Sequence, residues 1–160
     1  MVTILITILI LIIIIGLLTC KSSYKTKNGN TYIASSQENA EVIDALRKIA
    51  YDVPNNIKPE LSSKLSDKLR NTAFIEIIDG DPKIVGWNYN KGREIGIRIN
   101  NRYGTPYKAH VIVDTLLHEL AHSITPKYGH GEKWKELNDY LQKLKPNYVS
   151  ILLNKTFLTE

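Results

Sequence analysis

The chain has 160 residues, with 21 Lys and Arg against 16 Asp and Glu for a formal balance of +5, and it is 43% hydrophobic and 23% charged. That length holds one domain, and the composition excludes a disordered chain, a collagen-like repeat and a multi-span membrane protein. A single cysteine, Cys20, excludes a disulfide framework and any cysteine-based zinc finger.

Residues 1–20 carry no charge, and the apolar run from Met1 to Thr19 is interrupted only by threonines and Gly16. At about 1.5 Å per residue such a run reaches roughly 30 Å, the depth of a bilayer's hydrocarbon core. It reads as an uncleaved transmembrane anchor. A cleaved signal would carry a basic residue ahead of the run and a small-x-small site behind it. Lys21, Lys25 and Lys27 then put the rest of the chain on the cytosolic side by the positive-inside tendency. Residues 21–35, rich in Lys, Ser, Asn and Thr without a period, read as a flexible tether. Residues 36–160 make the folded domain.

Ser35 with Glu38 has the form of a capping box, and Val42, Ile43, Leu46, Ile49 and Ala50 recur at helical spacing up to Pro54. Leu61, Leu65 and Leu69 predict a short helix after Pro59. Strands are expected over Ala73 to Ile78, Lys83 to Trp87 and Glu94 to Ile99, with Asp79-Gly80-Asp81-Pro82 and Asn88 to Gly92 as connections. Thr105-Pro106 is placed to open a long helix running to about Ile124, and a last helix is expected from Gly131 to Leu144, ending before Pro146. The order predicts an α+β fold with a small antiparallel sheet packed on the long helix.

That long helix carries His118-Glu119-Leu120-Ala121-His122, with His130 following. Histidines four apart stack on one helix face and can share a metal ion. Glu119, about 100° further round, can reach a metal-bound water without ligating the ion. Pro126 and Gly129 break the helix and let His130 return as a third ligand, which leaves a zinc ion one open position. The expected chemistry is peptide hydrolysis by a zinc-bound water that Glu119 activates. Asp114, one turn before His118, either orients a ligand imidazole or pairs with a Lys or Arg; His110 lies one turn earlier. Tyr128, Tyr103, Tyr107 and Arg98 are candidates to stabilise the oxyanion, and the strand at Glu94 to Ile99, if it is a free edge, could pair with an extended peptide. Two other classes compete with a protease. One is a membrane-tethered zinc domain that binds without cutting. The other is a basic nucleic-acid module, although Lys133, Lys135, Lys143 and Lys145 lie on a solvated helix without interleaved aromatics and suit anionic lipid equally.

The run Val85 to Ile99, VGWNYNKGREIGIRI, resembles the strand pair ahead of the zinc helix in the WLM family of metallopeptidases, and Asp114 to His122 resembles that helix. His130-Gly131-Glu132-Lys133-Trp134 is similar to the segment bearing the family's third histidine and to its counterpart in SprT-like proteases. Seven residues separate His122 from His130, where the family usually has five. The resemblance implies a minimal zincin, one zinc on His118, His122 and His130, Glu119 as catalytic acid and base, and a protein substrate. Crosslinked or unfolded proteins are the class on which such relatives act. The Ile-, Asn- and Lys-rich composition suits a large DNA virus or another AT-rich genome.

Overall fold

The structure, a computed structural model, describes residues 22–126 and 129–160. The anchor expected over residues 1–20 lies outside them. Among the described residues no helix is long and apolar enough to cross a membrane.

The stretch expected to be a tether forms a hairpin instead. Strand β1 (Ser23–Lys25) pairs antiparallel with β2 (Thr31–Ile33), Tyr24 facing Tyr32. Gly29, at φ +84°, makes the turn that Asn28 and Asn30 flank. A buried carboxylate holds the hairpin down: Asp44 accepts the Asn28 and Asn30 amides at 2.6 Å each and the Tyr32 hydroxyl at 3.0 Å. Burial opposes ionisation of Asp44. Hydrogen bonds from Asn30, Lys48, Asn28 and Tyr32 outweigh it, and the carboxyl titrates below its usual range.

Helix α1 (Gln37–Asp52) is capped by Ser36, one residue later than the capping box predicts, with its hydroxyl accepting the Asn39 N–H at 3.1 Å. Ser35 is drawn away by Glu76, whose carboxylate accepts both its N–H and its hydroxyl. Pro54 diverts the chain into a 3-10 turn (Val53–Asn56), and Pro59 opens α2 (Pro59–Leu69).

The second sheet holds β3 (Ala73–Glu76), β4 (Gly86–Tyr89) and β5 (Glu94–Ile97) in the order β3-β5-β4. It is mixed rather than antiparallel. β4 runs antiparallel to β5, but β3 lies parallel to it, Phe74 beside Ile95. The cause is β5 itself. Every residue from Ile95 to Ile99 is buried, so the strand takes the middle of the sheet rather than a half-exposed place. Arg98, 6% exposed, donates to the carbonyls of Ile84, Asp79 and Asp81 and pins the long β3–β4 connection across the sheet's end. β5 is therefore no free edge, and the two edges fall to β3 and β4.

Helix α3 (Ala109–Ile124) begins four residues after Thr105. Thr105 to Tyr107 pairs with Ile99 to Asn101 instead, through Tyr107 N–H to Ile99 O and Asn101 N–H to Thr105 O, both 2.8 Å. The free end of α3 is satisfied by residues 159 and 160: Ala109 N–H donates to Thr159 O at 2.8 Å, and Lys108 Nζ to Glu160 O at 2.6 Å. Ile112, Val113, Leu116, Leu117, Leu120 and Ala121 are all at most 1% exposed, and α3 is packed on by α1, α2, α4 (Glu132–Gln142), α5 (Lys145–Lys155) and the sheet. Pro146 opens α5 in its first turn and buries Tyr148 and Leu152, a helix the sequence reading does not contain.

Candidate metal centre

A helix so thoroughly enclosed fixes the side chains it carries. His118 and His122 emerge from its last turns with Nε2 atoms 3.3 Å apart. Gly129 takes φ +84°, and His130 comes back with its Nε2 3.2 Å from each of the others. Ligand nitrogens about 2.0–2.1 Å from a tetrahedral zinc lie roughly 3.3–3.4 Å apart, so this triangle fits the ion. Three ring nitrogens converging on one point cannot satisfy one another by hydrogen bonds, whereas a cation takes all three lone pairs. Among the described residues no fourth His, Cys, Asp or Glu joins the group.

Two of the rings, His118 and His122, are biased toward the neutral form that a metal needs. Burial lowers His118, as does His130, with Asp114 pulling the other way. Burial, then His118, His130 and Lys91, push His122 down to about 4. The Trp134 indole packs on all three imidazoles at centroid distances of 4.6, 5.0 and 4.4 Å, and its Nε1 is buried without a hydrogen-bond partner.

A cavity of about 350 Å³ opens on the triad, lined also by Glu119, Gly86, Trp87, Asn88 and Lys91. Trp134 is not in its wall, so the cavity lies on the face away from the indole. Glu119 is 5% exposed, and burial raises its carboxyl to about 7. The strand beside it is built to let it lie there. A Cβ on Gly86 would stand 2.3 Å from Thr115 Cγ2 and 2.8 Å from Glu119 Oε1. Asn88 clamps strand to helix, its Nδ2 donating to Glu119 O at 2.6 Å and Ser123 Oγ at 2.7 Å while its Oδ1 accepts Gly92 N–H at 2.7 Å. Asn90, Lys91 and Gly92 all have positive φ in the turn that follows.

His118, Glu119, His122 and His130 thus come together as the sequence spacing anticipates. The oxyanion candidates do not. Arg98 is spent on backbone carbonyls, Tyr103 is exposed against Arg102, Tyr107 packs on the core, and none of the three lines the cavity; Tyr128 lies outside the described residues. Asp114 forms an ion pair with Lys145 at 2.7 Å, and His110 is exposed. Gly86, Asn88, Lys91 and Trp134 escape spacing arguments. The first three sit inside the glycine- and asparagine-rich run 85–99, and that run is the only signal for them.

The chain matches the family model of the WLM domain over residues 27–156. Its fold is similar to the crystal structure of Wss1 from Saccharomyces cerevisiae, at 24% identity over 55% of this chain and 73% of that one, TM-score 0.44. A crystal structure of a Wss1 mutant from the same yeast is similar at 21% identity over 63% and 81%, TM-score 0.44. No curated protein matches the chain. The family match takes in the β4–β5 hairpin, the histidine-bearing helix and the turn that returns His130, and the chain belongs to the WLM domain family.

Proposed function

We propose that the chain is a zinc-dependent metalloendopeptidase in which His118, His122 and His130 hold one catalytic zinc and Glu119 is the general base. The observation that carries this is the convergence of three Nε2 atoms within 3.2–3.3 Å on a cavity that a buried carboxylate shares. Membership of the WLM family supports it. Zinc bound there supplies Lewis acidity, which acidifies a water and polarises a carbonyl. Glu119 does the proton work: burial raises its proton affinity to about 7, so at neutral pH it can take a proton and hand it on to the departing amide nitrogen. Gly86, Trp87 and Asn88, on edge strand β4 in the cavity wall, offer backbone groups along which an extended peptide can align. Unfolded or crosslinked proteins, which expose such segments, are the substrates this reading favours. The same proposal keeps residues 1–20 as a membrane anchor with the domain on the cytosolic side, on the strength of their apolar sequence.

The test is metal analysis of the full chain with digestion of casein, with and without chelator. About one zinc per chain and chelator-sensitive cleavage are expected. Glu119→Gln should retain zinc and lose about 10²- to 10⁴-fold in rate. Cleavage at the original rate in that variant would reject the mechanism, and bound zinc without any cleavage would leave a membrane-tethered binding domain.

A further inference from the structure

Lys91, in the wall of the cavity at the histidines, also lines its neighbour. That second depression, of about 340 Å³, is walled also by Lys64 and Lys68, with Ile124 and Pro126 in its lining. A third, of about 600 Å³ between α2 and α4, shares Lys64, Ile124 and Pro126 and adds Lys58, Lys133 and Lys143. The three depressions adjoin one another in a track away from the metal centre, and six lysines line them. Its acids are fewer. Asp67 in the near part faces Arg70 at 3.4 Å, and Glu136 and Asp139 lie in the far part.

Lys64 and Lys68 are four apart on α2 and so share one helix face. Burial and then the Lys68 charge lower the Lys91 amine from its ordinary value. Ammonium groups crowded along one groove repel one another, and an anionic group laid among them relieves that repulsion. Ile124 and Pro126 add apolar lining beside Ser123 and Thr125, so the site suits a ligand with apolar atoms as well as negative charge.

We propose that this track is the run of subsites for the polypeptide being cut, and that it selects substrates with Asp or Glu residues on one side of the scissile bond. The inference rests on the peptidase reading above. A polypeptide fits better than a nucleic-acid strand. The track adjoins edge strand β4, where an extended peptide aligns, and the near part of its lining has no aromatic ring on which a base could stack. The one aromatic ring in the far part, Tyr140, already has the Lys58 ammonium over it at 5.7 Å.

The test uses the full chain, loaded with zinc in detergent, and three fluorogenic peptides. They share one core and carry Glu-Asp, Gln-Asn or Lys-Lys pairs on either side of it. The acidic peptide should have kcat/KM roughly tenfold above the neutral one, the scale of two or three partly exposed ion pairs acting together. The preference should fall at high salt. In Lys64→Glu/Lys68→Glu it should shift to the lysine peptide, and Lys64→Gln/Lys68→Gln should abolish it. Both lysines are exposed, so these variants should fold, and circular dichroism checks that they do. Equal cleavage of the three peptides overturns the selection and leaves the peptidase reading standing. A second arm uses zinc-loaded Glu119→Gln, with binding of labelled peptides followed by fluorescence anisotropy. Acidic-peptide binding that the charge reversal removes, without any cleavage by the parent chain, supports the track and rejects the peptidase reading. Neither binding nor cleavage overturns both. A labelled oligothymidylate that binds more tightly than the acidic peptide, and is lost in the same charge reversal, overturns the polypeptide assignment.

Discussion

Glu119 illustrates how a single side chain can be set against the stability of the fold that holds it. Its folded carboxyl is raised by burial from 4.5 to about 7. In the metal-free protein its contribution to stability is therefore fully present below pH 4.5 and is lost as the pH rises through 7. Glu119→Gln should melt above the parent at pH 8, by on the order of 1–3 kcal/mol, with the gap closing toward pH 4.5. Thermal scans of the metal-free proteins across that range check it, and a constant gap would show that burial does not oppose ionisation of this carboxyl. Gly86 is the second such position. Gly86→Ala should drive its new methyl into Thr115 and Glu119, costing about 1–3 kcal/mol and lowering kcat/KM more than metal content. Trp134→Ala should do the opposite, because the indole backs all three imidazoles: metal retention falls first, with a loss of about 3–5 kcal/mol from the cavity left behind.

Among elements, the join between β4 and α3 is made by one amide side chain. Asn88→Ala removes the acceptor of Gly92 N–H and the donor to Glu119 O and Ser123 Oγ, and should cost about 1–3 kcal/mol. Steady-state kinetics should show it as a rise in KM for long peptides beyond the effect on short ones, because strand β4 loses its tie to the helix that carries Glu119. Helices α1 to α4 were legible from sequence because their apolar spacing is strong: Leu65 and Leu69 on α2 are buried as the pattern requires, as are Leu116, Leu117 and Leu120 on α3, whereas α5 was not. The strands were legible as strands but not in their order. Nothing in a short apolar run states which neighbour it pairs with, and β5 was settled by Arg98 reaching carbonyls 14 to 19 residues away. The hairpin at residues 23–33 was missed for a related reason. Its stability comes from Asp44, a charged residue of α1 that local reading assigns to solvent. The Thr105-Pro106 start failed because tertiary pairing with Ile99 to Asn101 outweighed a local helix signal. The histidines were legible because their chemistry depends on helical spacing and one turn, whereas Lys91 and Trp134 serve the site through folding alone.

For the molecule as a whole, a metal at the centre would tie α3 to the turn that enters α4, so its removal should be felt beyond the three histidines. Chelation should lower the melting temperature and open the stretch from Gly129 to Gly131 to limited proteolysis, with zinc restoring both. Unchanged melting on chelation would mean that α4 is held by Trp134 and Leu141 alone. The other end of α3 carries a different consequence. Its first amide is closed by Thr159 O and Lys108 reaches Glu160 O, while His118 lies nine residues on, about 13 Å along the axis. Deleting residues 159 and 160 would therefore fray, from the far side, the rod that carries the chemistry.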